Sequence, residues 1–216
     1  MKMSEISQLD PKARMGLRQA YVEWIDSYIE DGYTPYLMTF MFNHVSAASM
    51  PRLIQMMYQD IEIFYLRLSG RFAHHPEKPG QRYKLPILIC SPDTPNIKRR
   101  NHCVESGDGL HVHGIFLKPP VSRFKGDLIE LVRILSVELT RQTRIQRIHL
   151  VEVTYNSASA SDYALKAFGR HQDCSEPLIL PMEMGAKRDR TARGYDEACD
   201  RVQGSSLMRS PRCRGR

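Results

Sequence analysis

The sequence predicts an α+β fold with an antiparallel sheet, and three observations carry that prediction. Two long segments, near residues 10–32 and 49–70, repeat apolar residues at helical spacing. Four short runs rich in β-branched, aromatic and aliphatic residues stand between or after them. The elements then alternate as helix, strand, helix, strand, strand, helix, strand and helix, which pairs two βα units around a central hairpin.

The first helix opens at Asp10-Pro11, an N-cap residue followed by proline at the first helical position. Trp24, Ile25, Tyr28 and Ile29 form its stripe, and Gly32 is placed to end it. "TPYLMTFMFN" predicts a strand over Tyr36–Phe42. Ser49 and Pro51 open the second helix, with Leu53, Met57, Ile61, Phe64, Tyr65 and Leu68 on one stripe and Gly70 as its stop. The polar stretch His74–Lys84 predicts a loop, and "LPILICS" a continuously apolar strand over Leu85–Ser91. A long polar connection leads to a strand over Leu110–Leu117, closed by Pro119-Pro120, which cannot continue a hydrogen-bond ladder. A helix beginning at Ser122 carries Leu128, Leu131, Val132, Leu135 and Leu139; a strand over Arg147–Val153 follows. A short helix within Ser159–Phe168 ends at Gly169.

This order is the ferredoxin-like, or split βαβ, arrangement: β-α-β-β-α-β with an N-terminal helix before it and a C-terminal helix after it. It predicts two long helices on one face of the sheet and leaves the other face open for a site. Three segments are expected: an N-terminal helical extension over 1–34, the α+β domain over 35–182, and a basic, disordered tail over 183–216.

The chain has 216 residues, enough for one good-sized domain with extensions. Its formal charge is +7, with a pI near 9.2, which favours polyanionic partners. Lys187–Arg216 holds nine Lys/Arg against four Asp/Glu, a local +5 that leaves +2 for everything else. Overall charge therefore says little about the domain itself. Five scattered cysteines without a CxxC argue for reduced thiols rather than a disulfide framework. No apolar run is long enough to cross a bilayer, and the first residues lack the apolar core of a secretory signal. A cytoplasmic protein with no membrane partner is expected.

The chemistry concentrates in two places. "GDGLHVHGIFLKPP" sets His111 and His113 on the same face of a strand, because side chains alternate along it. Two imidazoles so spaced can bind one metal ion, or can simply be polar residues on a wet sheet face; a metal needs a third ligand. Of the nearby carboxylates, Glu105 is preferred, because a turn at Gly107–Gly109 would return it beside the histidines while Asp108 pointed to solvent. "SASDYALKAFGR" places Tyr163 and Lys166 on one side of a helix, with Ala164, Leu165 and Phe168 on the other. Such a pair is common on half-exposed helices. Its chemical reading is that an ammonium beside a phenol favours the phenolate, or binds a phosphate.

Taken together, "HVH" at 111–113 resembles the histidine–hydrophobe–histidine (HUH) motif, and "YALK" at 163–166 resembles the YxxK motif of single-tyrosine rolling-circle replication initiators, the Rep proteins. "YLMTF" at 36–40 is similar to the apolar strand that precedes them in that family, and all three occur in the family's order. The resemblance spans roughly Tyr36 to Arg170 and implies a metal-dependent endonuclease for single-stranded DNA or an origin hairpin. His111 and His113, with Glu105 by analogy, would hold Mg²⁺ or Mn²⁺. Tyr163 would attack the phosphate and remain joined to the 5′ end, and Lys166 would assist. Such an enzyme serves DNA replication of a plasmid or phage, or a transposon. The chain has no second tyrosine in the motif and no G-x-x-x-x-G-K-[ST] phosphate loop, so unwinding would fall to a host helicase.

Other readings compete. A cupin-type metal enzyme would need a glutamate four or five residues after the histidines, where Leu117 and Lys118 stand. A noncatalytic single-stranded nucleic-acid-binding module could stack bases on "YLMTFMF" and contact phosphates through Lys98, Arg99 and Arg100. An inactive remnant of a mobile element would fit the irregular ending "SSLMRSPRCRGR".

Overall fold

The computed structural model describes residues 10–43, 45–93, 104–105, 111–154, 157–165 and 176–181; for 11, 104, 105, 157 and 158 it describes the backbone alone. The order is α1 (Pro11–Glu30), β1 (Thr34–Phe42), β2 (Ser46–Ala47), α2 (Met50–Phe72), a 3₁₀ segment (Pro79–Lys84), β3 (Ile87–Asp93), β4 (Val104–Glu105) and β5 (His111–Lys118). There follow α3 (Leu128–Ile134), α4 (Ser136–Thr140), β6 (Ile145–Glu152), α5 (Ser157–Ala164) and β7 (Leu178–Leu180). Five strands form one antiparallel sheet in the order β6-β1-β5-β3-β7, and β2 pairs separately with β4. The molecule is thus α+β, as expected. Among the described residues no helix is long and apolar enough to cross a membrane.

α1 begins as its sequence dictates: Asp10 Oδ1 accepts from the Ala13 amide at 2.8 Å, satisfying one of the donors that every helix start leaves open. It ends at Gly32, whose φ of +88° is the left-handed conformation that glycine adopts without strain. α2 runs two residues past Gly70 to Phe72. A glycine inside a helix costs about 1 kcal/mol. Buried Phe72, packed on Phe116 and Phe124, outweighs that. The helix expected from Ser122 starts later, at Leu128. Ser122 Oγ is spent on a turn to the Phe124 carbonyl, and Asp127 caps the amides of Ile129 and Glu130 instead. The helix also breaks at Leu135 into α3 and α4.

One expectation is corrected. Helices lie on both faces of the sheet rather than one. On the first face α2, α3 and α4 pack over Met38, Phe40, Leu88, Val112 and Phe116. Phe40 meets Phe64 edge to face at 5.3 Å, worth about 1 kcal/mol beyond area burial. On the second, Val22 and Ile25 of α1 and Ala164 and Leu165 of the α5 end cover Ile87, Ile89, Ile115 and Leu117. The physical reason is visible in "ILIC", Ile87–Cys90: a strand segment apolar at every successive position must be buried on both sides.

Candidate functional site

β5 is the middle strand, and its alternation divides its residues between the two faces. Val112 and Phe116 enter the α2 side, whereas Ile115 and Leu117 enter the α1 side. His111 and His113 share the α1 side with Ile115. The apolar cover of α1 and α5 extends over the Ile115–Leu117 half of this face, and the histidine half is polar.

His113 is 6% exposed and stands level with Thr39 of β1 and Ser91 of β3. Its Nδ1 lies 2.9 Å from Thr39 Oγ1, a hydrogen bond that fixes the plane of the ring. Its Nε2 lies 3.4 Å from Asp93 Oδ2. Asp93 closes β3 directly opposite His111, and the two histidine rings stand 6.2 Å apart. Ser91 Oγ, buried beside His113, has no hydrogen-bond partner among the described residues, and neither has Ser161 Oγ on α5. A buried hydroxyl left so costs about 1–3 kcal/mol unless water or a ligand satisfies it. Gly114 follows His113 where β5 lies close against β3. A Cβ there would stand 2.6 Å from Cys90 Sγ and 2.9 Å from the Ile89 carbonyl oxygen.

The second half of the site comes from 50 residues further along the chain. α5 and the turn after it bury Ser161, Ala164 and Leu165, and leave Tyr163 44% exposed. The Tyr163 ring nevertheless stands 5.1 Å from the ring of His113, tilted by 59°. The sequence placed Tyr163 outward on a helix and His113 on a strand. Their adjacency comes from the way α5 crosses β5.

The remaining site residues fall unevenly. Lys166, Lys98, Arg99 and Arg100 lie outside the described residues. The Glu105 backbone belongs to β4, paired with Ser46 of β2; its side chain is not among those described. The carboxylate found beside the histidines is Asp93, which sequence reasoning missed. β3 runs on through Pro92, and its register with β5 brings its last residue level with the first histidine. His149 lies on the same face, level with Thr39, but two strands from His113, or about 10 Å.

Two imidazoles and a carboxylate are the donor types that a catalytic divalent cation takes while keeping open positions. Among the described residues, however, no three His, Cys, Asp or Glu side chains are gathered as placed into a group that could hold a metal ion. Tyr36, Phe40 and Phe42, the aromatics of β1, are buried on the α2 side and offer no surface for stacking bases. Burial, with the Glu152 carboxylate adding to it, pushes the Tyr36 phenol up to about 12. No family model matches the chain, and no curated protein or solved structure is significantly similar to it.

Proposed function

We propose that the protein is an HUH-type endonuclease that nicks and rejoins single-stranded DNA through a 5′-phosphotyrosine, as in the initiation of rolling-circle replication. One observation carries the reading. One residue from each of two motifs 50 residues apart meets the other in space, with the Tyr163 ring 5.1 Å from that of His113. The order of the principal strands, with the fourth beside the first and the third beside the second, supports a split βαβ core. α2 and the α3–α4 pair are its crossovers, and α5 is the helix that carries the tyrosine.

His111 and His113, completed by Asp93 or Glu105, would hold Mg²⁺ or Mn²⁺, which when bound withdraws charge from the scissile phosphate. Thr39 keeps the His113 ring in one orientation through Nδ1. Tyr163 Oη attacks phosphorus and gives up its proton to water, which in turn supplies one to the leaving oxygen. The bond to the 3′ oxygen breaks, and that oxygen leaves as a 3′-hydroxyl after taking up a proton. Lys166, one turn on in sequence, neutralises charge on the phosphate. The phosphotyrosine conserves the energy of the phosphodiester, so a 3′-hydroxyl can reverse the step. Single-stranded or hairpin DNA is the substrate, Lys98, Arg99 and Arg100 contact its backbone, and a host helicase supplies unwinding.

The test is incubation with labelled single-stranded oligonucleotides drawn from the DNA flanking the gene, with Mn²⁺, read on a denaturing gel. A protease-sensitive shifted band is expected, lost on chelation and in Tyr163→Phe, and reduced at least 10²-fold in His111→Ala and His113→Ala. DNA binding without any covalent product would instead favour a noncatalytic binding module or an inactive remnant.

A further inference from the structure

We infer that Arg18 of α1 is a positioning residue for Tyr163: it fastens the last turn of α5 and so holds the phenol against His113. The inference rests on the nicking function proposed above and adds the N-terminal helix to its machinery.

α5 has eight residues, too few for a helix to hold itself together in water. Its last turn has carbonyls with no partner inside the helix, and Asp162 contributes one of them. Arg18 Nη2 donates to that carbonyl oxygen at 2.9 Å and to Asp162 Oδ2 at 2.5 Å. One guanidinium, supplied from 144 residues away, thus caps the helix and pairs with a carboxylate of the same residue. The Arg18 side chain is only 18% exposed, so it has few other orientations to adopt.

The rest of the contact prevents α5 from turning about its axis. Arg18, Val22 and Ile25 are spaced by four and three residues and lie on one face of α1. Val22 and Ile25 pack with Ala164 and Leu165, on the flank of α5 opposite the tyrosine. Arg18 holds Asp162, the residue immediately before Tyr163. With one flank packed and the last turn tied, the direction of the tyrosine is set. The guanidinium of Arg18 is engaged with Asp162, not with the reacting phenol, so its part is to position.

The imidazole signals of His113, identified by their loss in His113→Gln, report the place of the Tyr163 ring through its ring current, with or without activity. Tyr163→Ala gives the position of those signals with the ring gone. In Arg18→Ala they are expected to move most of the way to that position. Covalent product at saturating oligonucleotide is expected to form roughly 10²-fold more slowly, while oligonucleotide affinity stays unchanged. Arg18→Lys, which can reach one acceptor but not both, restores part of each. His113 signals unmoved in a folded Arg18→Ala protein overturn the inference. Should that variant fail to fold, Arg18→Lys and Asp162→Ala decide: displacement in either supports it, and none in both overturns it. If the signals move as expected but even the wild type forms no covalent product, the nicking function falls and the role of Arg18 in placing the tyrosine stands.

Discussion

At the scale of single residues, the histidine strand leaves no spare room where it matters most. Gly114 follows His113 on β5, and an added methyl group would meet a sulfur and a backbone oxygen of β3, neither able to withdraw. Cys90 is fully buried, and that burial pushes its thiol well above the usual range, so it is a packed neutral group and no nucleophile. Gly114→Ala should therefore cost about 1–3 kcal/mol, read as a lower midpoint in denaturant. It should also separate His113 from Asp93 of β3, weakening the proposed metal binding as measured by calorimetry. An unchanged midpoint would mean that the strand shifts without cost.

Among the elements, α2 shows how burial and charge are reconciled. Asp60 is buried and accepts from both the Arg144 amide and its guanidinium, each at 3.1 Å. Glu62, two residues on, is pushed from 4.5 to about 7 by burial. Below about pH 4.5 Glu62 is protonated in both the folded and unfolded chain and costs nothing. Between 4.5 and 7 the unfolded chain releases the proton and the folded one keeps it, so stability falls as pH rises. Glu62→Gln should remove that slope. At pH 8 it should exceed the wild type by something of the order of 2 kcal/mol, and at pH 4 the two should coincide. Equal pH dependence in thermal melts of the two proteins would assign the slope to other groups.

The same scale shows what could be read in the sequence. The four principal strands and the helices α1 and α2 were legible because each carries its own period or cap. Tyr163 outward and Leu165 inward were legible from one turn of helix. Asp93 was not, because Pro92 reads as a strand breaker. Yet β7 pairs only Leu88–Cys90, so at Pro92 one side of β3 is a free edge in the described sheet, where proline is tolerated. β7 itself is three residues long, too short for any pattern to announce. The covering of the second face by α1 was missed for a different reason. Periodicity tells a helix which side to bury but not which surface will receive it.

For the whole molecule, the sheet order matters more than the size of the core. The histidines stand on the middle strand of the sheet, hydrogen-bonded to β1 along one side and to β3 along the other. The tyrosine stands on an eight-residue helix tied by Arg18 and a small apolar flank. The two halves of the candidate site thus belong to regions of unequal cohesion, and regions of low cohesion open first. Gentle heating should release Tyr163, the proposed nucleophile, while the histidine half of the candidate site is intact. Loss of covalent-product formation is then expected several degrees below the calorimetric unfolding midpoint, and cooling from that interval should restore activity in full. Coincident temperatures would mean that helix and sheet come apart together. A nickase of the proposed kind, built this way, would carry its own thermal fuse, one that resets.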